Sequence, residues 1–158
     1  MFWETFFIIL VIELAIILLK EGLRSYLSCK KEVHSEYYIW PLGILMMFVS
    51  TFLGNTFSLG ANHHYEDKAD IKKCGKVNFI VSLVLYAILL IAFITNVYYP
   101  SAILQMIIIV AVLNLFIDLF PFSPMDGHEI RHWNFLLWAG LYVIVLLSYI
   151  VVYFNIFP

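Results

Sequence analysis

The chain has 158 residues, of which 63% are hydrophobic and only 13% charged, with a formal net charge of −2. A soluble domain is about 45–50% apolar and about 25% charged, so a soluble single domain is excluded for want of polar surface. The charge excludes a nucleic-acid partner, which needs a concentrated basic face, and the 18% aromatic content suits a protein whose rings sit at membrane headgroups.

In chain order, the run Phe2–Leu19 is apolar apart from two acids, Glu4 and Glu13. Its start is acidic and no small-residue cleavage site follows, so it reads as a first spanning helix rather than a cleaved signal peptide. Residues 20–39 read as a loop. Trp40–Gly60 is apolar but broken by Pro41, Gly43, Gly54 and Gly60. Lys20, Arg24, Lys30 and Lys31 precede it and Lys68, Lys72, Lys73 and Lys76 follow it. The positive-inside rule places both flanks in the cytoplasm, so the segment is expected to be re-entrant, with a full fifth span as the alternative.

Val77–Val97, Ala102–Phe120 and Asn134–Phe157 each approach the roughly 20 apolar residues a spanning helix needs. The expected fold is therefore an all-α integral membrane domain with four spanning helices (about 2–19, 77–97, 102–120 and 134–157) and an inserted segment at 40–60. The N-terminus lies outside the cell membrane and the loops 20–39, 61–76 and 121–133 lie in the cytoplasm. Cys29 and Cys74 suggest no disulfide framework.

The most informative stretch is Asn114–Gly127, NLFIDLFPFSPMDG. It puts Asn114 and Asp118 inside a spanning helix, breaks that helix with Pro121 and Pro124, and delivers Asp126-Gly127 at the next polar turn. Acids within a membrane are costly and mark paired or functional positions. This order of features resembles the second signature of the site-2 protease family, the intramembrane zinc metalloproteases, in which the Asp is the third zinc ligand. Cys74–Leu85, CGKVNFIVSLVL, is similar to the start of a core helix in that family, with Lys76 where Pro is usual. Glu36–Tyr65 is similar to the inserted segment of an archaeal-type minimal branch.

The family's first signature, HExxH, is degenerate. The matching run is Lys20-Glu21-Gly22-Leu23-Arg24. By the resemblance, Glu21 stands in the position of the general base, vestigial here, while Lys20 and Arg24 replace both zinc-binding histidines. A guanidinium has no acceptor lone pair, so no metal is expected by the family mechanism. Lys20 and Arg24 are four apart and project from one helical face. They are expected to pair with Asp126, and with Glu21, in place of the zinc ion; the alternative is that both snorkel to the cytoplasmic interface.

A literal HExxH also occurs, as His128-Glu129-Ile130-Arg131-His132. A rearranged metal set of Asp126, His128 and His132 is the alternative it offers, with Glu129 or Glu21 as base. His34, His63 and His64 read as solvated loop residues. Asn78, Asn114, Pro121 and Pro124 are expected to line a groove that clasps a helix, and Glu13 needs a polar partner that the sequence does not name.

The functional expectation is a pseudoprotease. It would bind a transmembrane protein partner within the lipid, or serve as a subunit of a membrane complex, without a cofactor. An active intramembrane zinc metalloprotease is the second expectation, with zinc as its cofactor, and a transporter or channel component is the third.

Overall fold

The computed structural model describes residues 2–30, 35–39, 41, 45, 61–65, 71–123 and 125–156. Among the described residues five helices and two strands follow in chain order: α1 (Phe2–Lys30), β1 (Ser35–Ile39), β2 (Ala61–Tyr65), α2 (Ile71–Tyr98), α3 (Ala102–Asp118), α4 (Asp126–Trp133) and α5 (Phe135–Ile156). Most of the expected segment 40–60, together with Pro124 and His34, lies outside the described residues.

Among the described residues two helices, α2 and α5, are long and apolar enough to cross a membrane. Only 17% of the most apolar stretch of α5 is buried inside the protein, so it is not the core helix of a soluble fold. α1 carries the same message in its pattern. Phe7, Val11, Leu14 and Leu18 form an outward stripe at helical spacing, Leu18 being 70% exposed. Its inward stripe is Ile16, Lys20, Arg24 and Ser28, and Arg24 is only 1% exposed. A helix that is greasy outside and polar inside would be inverted in water, and lipid is the medium that suits it. These are the features of a helical membrane protein.

α3 is the central element, packed against α1, α2 and α5. Its buried residues Ile108, Ala111, Val112 and Leu115 recur every three or four positions. α2 meets them with Val81, Leu85, Leu89 and Ala92, and α5 with Leu141 and Val145. Phe116 stacks on Tyr142 and Tyr149, ring centroids 5.9 and 5.3 Å apart, tying α3 to α5. Asn134 starts α5 by accepting the backbone N–H groups of Leu136 and Leu137 at 3.1 and 3.2 Å, as a helix N-cap does.

Three boundaries differ from the sequence expectation. The loop 20–39 is helical as far as Lys30, because Lys20, Glu21 and Arg24 are good helix formers whose charges find partners inside the protein. The loop 61–76 already contains the first turns of α2, from Ile71, and the loop 121–133 contains the whole of α4. The fold is also not purely helical: β1 and β2 pair antiparallel, with Ser35 opposite Tyr65 and Ile39 opposite Ala61. Both are short Tyr-containing runs, which suit extended pairing.

Candidate functional site

The polar residues of α1 meet those of α3 and α4 at one buried place. Lys20 Nζ donates to Asp118 Oδ2 at 2.6 Å and lies 3.9 Å from Asp126 Oδ2. One turn on, Arg24 donates from Nη2 to the same Asp126 oxygen. Its Nη1 faces Glu21 Oε1 at 3.4 Å, and Glu21 is the more exposed member of that pair. Two cations thus face two aspartates, Asp126 buried and Asp118 half-buried. The Arg24 guanidinium is buried inside the protein.

The local sequence explains how Asp126 arrives there. α3 ends at Asp118, and Trp138 Nε1 donates to Leu119 O at 2.9 Å, satisfying a carbonyl freed at the helix end. The chain turns through half-buried Pro121 and restarts helix at Asp126. A Cβ on Gly127 would overlap the carbonyl groups of Leu119 and Phe120, so only glycine lets α4 begin this close to the end of α3. Gly75 does the same where α4 crosses α2: a Cβ there would come within 2.5 Å of Glu129 O and Trp133 Cβ.

Glu129 and Glu13 also have partners. Glu129 Oε2 accepts from Asn78 Nδ2 at 2.6 Å, joining α4 to α2. Burial, chiefly, and the nearby Asp126 carboxylate push the Glu129 pKa up to about 8, against a smaller opposing pull from Arg24. Asn114 Nδ2 donates to both oxygens of Glu13, at 3.2 and 3.0 Å, and to Val110 O at 3.0 Å. Glu13 therefore has the partner the sequence left unnamed.

Zinc does not fit the donor set of Lys20, Arg24 and Asp126. Lys20 and Arg24 present N–H groups, and both converge on one Asp126 oxygen. The rearranged set does not assemble either. Asp126 faces α1 from the buried side of α4, whereas His132 is exposed and His128 half-buried, their rings 4.5 Å apart. Burial, chiefly, with His132 and Arg131, lowers the His128 pKa. Among the described residues no three His, Cys, Asp or Glu side chains form a metal-holding group.

Of the expected groove residues, Asn78 is buried and Asn114 half-buried, and both are engaged by carboxylates. An apolar cavity of 270 Å³ lies between α2 and α5, lined among others by Leu89, Phe93, Leu147 and Val151. Tyr86 and Ser148, 3.2 Å apart, form its polar spot. Two members of the charged cluster were not singled out as its parts from sequence: Asp118, the closer partner of Lys20, and Glu129 as the partner of Asn78. The four-residue step from Asn114 to Asp118 was the available signal for the first.

Comparison with protein-family models, with curated proteins and with solved structures returns no match for this chain.

Proposed function

We propose that this chain is a catalytically inactive, site-2-protease-like membrane protein that binds a transmembrane partner or serves as a subunit of a membrane complex. The observation that carries the reading is the pairing of Arg24 with Asp126, with Lys20 beside it. In the resembled family these three positions hold a zinc ion; here two fixed cations neutralise the carboxylate and tie α1 to α4. The lone pairs that zinc chemistry needs are missing from two of the three positions. Glu21, at the general-base position, faces Arg24.

The topology read with it has four spans, α1, α2, α3 and α5, with the N-terminus outside the cell membrane. Residues 40–60 re-enter from the cytoplasmic face. The Ile39–Ala61 pairing supports this, because it holds the two ends of the segment side by side. A single crossing would separate them by about 30 Å. Little of α5 is buried, which leaves a long apolar face for lipid or for a partner helix.

Two measurements test the reading. The full chain, purified in detergent, is expected to leave a membrane-embedded peptide uncut and to co-purify with a defined membrane protein from native membrane. Chelator-sensitive cleavage that Asp126→Asn abolishes overturns it in favour of an active metalloprotease. For the topology, an impermeant maleimide should label Cys29 only after the cytoplasmic face is opened; labelling in intact cells overturns the orientation.

A further inference from the structure

The His-Glu-x-x-His run of α4 plays no part in the ion-paired cluster as a unit, because the helix divides it. Asp126, Gly127 and Ile130 form the buried face of α4, and Glu129 is turned to Asn78 on α2. The two histidines are left together. They stand four residues apart, on successive turns, with ring centroids 4.5 Å apart and the planes inclined at 64°. Among the described residues neither imidazole takes part in a hydrogen bond. Arg131, which lies between them in sequence, is drawn to the neighbouring helix, with its guanidinium 6.0 Å from the centre of the Trp138 ring.

We propose that His128 and His132 form a two-imidazole chelating site for a late first-row divalent ion such as Zn²⁺, Ni²⁺ or Cu²⁺, separate from the Asp126 cluster. Imidazole is a good ligand for these ions, and hard cations such as Mg²⁺ and Ca²⁺ prefer oxygen. One nitrogen from each ring approaches the ion to about 2.0–2.1 Å, and water fills the remaining positions. The small rotations needed are open to His132, which is exposed, and to His128, which is half-buried. Because the chelate bridges one turn of α4, it favours the helical form of the element that presents Asp126 to α1. An ion that binds the folded chain alone stabilises it by mass action. The inference does not rest on the pseudoprotease reading, since it uses neither Asp126 nor Lys20.

Calorimetric titration of the full chain in detergent micelles with Zn²⁺ tests it. One ion per chain is expected. His128→Ala and His132→Ala should each weaken the Kd by about tenfold or more. The double variant His63→Ala/His64→Ala should leave it unchanged, and so should Asp126→Asn. No saturable binding, or binding that survives both α4 substitutions, overturns the proposal. Loss with a folded Asp126→Asn variant overturns it too, and points to the rearranged catalytic set. Should Asp126→Asn fail to fold, electron paramagnetic resonance of the Cu²⁺-loaded native chain decides: coupling to two imidazole nitrogens is expected, and coupling to one or none overturns the site.

Discussion

α3 is held on its two sides by opposite kinds of chemistry. Toward α1 it presents Asn114 and Asp118, which meet Glu13 and Lys20. Toward α5 it presents Phe116, with Phe120 just past its end, and these meet Tyr142 and Tyr149 through ring contacts. In lipid, apolar surface gains little by leaving one greasy neighbour for another, so helix association relies on packing and polar contacts. The aromatic side supplies the first and the charged side the second. The two should therefore respond differently to truncation, and the charged side carries the greater risk, because removing one partner leaves an ion stranded.

The largest effect is expected at the Arg24–Asp126 pair. Arg24→Ala leaves the Asp126 carboxylate buried with Lys20 3.9 Å away and should cost about 3–5 kcal/mol. Denaturation in mixed micelles, followed by the fluorescence of Trp133 and Trp138, reads this out. Replacing both members by apolar residues, Arg24→Met with Asp126→Leu, should recover most of the loss, since the pair offsets its own desolvation only in part. A double variant as unstable as the single one would show that the cluster does more than neutralise itself.

Phe116→Ala comes next, at about 1–3 kcal/mol, from the loss of two stacked ring contacts. Adding Tyr149→Ala should cost less than the sum of the two single changes, because they share one contact. Strict additivity would mean that the stack is incidental. Asn114→Val is smaller still. An interhelical polar contact in a membrane averages about 0.6 kcal/mol and rarely exceeds about 2, so the loss of the Glu13 contact should fall in that range.

How much of this was legible in the sequence differs between the two sides. The spacing of Lys20 and Arg24 was enough to set both on one face, with Asp126 as the expected partner. The helix that carries them was cut short at Leu19, because charges after an apolar run ordinarily mark the exit from a membrane. The inward stripe Ile16, Lys20, Arg24, Ser28 keeps a helical period through that point. Hydropathy alone does not say which face a charge occupies. The Lys20–Asp118 contact joins residues 98 positions apart and was hidden behind the stronger motif at Asp126. The β1–β2 pairing was missed because its signal is not local: two five-residue runs become strands only by meeting across the stretch between them. The aromatic seam was visible only as composition, since stacking depends on the rotation of α5 about its axis.

A purely pH-dependent effect is expected at Glu129, which probes α4 from the side facing α2. Its carboxyl titrates near 8 in the folded chain against a reference of 4.5, because burial and the Asp126 charge disfavour ionisation more than Arg24 favours it. The folded state thus holds this proton more tightly than the unfolded state. Its contribution to stability is fully present below pH 4.5, declines as the pH rises, and is gone above about 8. Glu129→Gln keeps a neutral acceptor for Asn78 and cannot ionise. The variant should match the native chain near pH 5 and fall off less steeply between pH 6 and 9, as micelle unfolding across that range would record. Equal slopes would show that Glu129 does not control the alkaline loss.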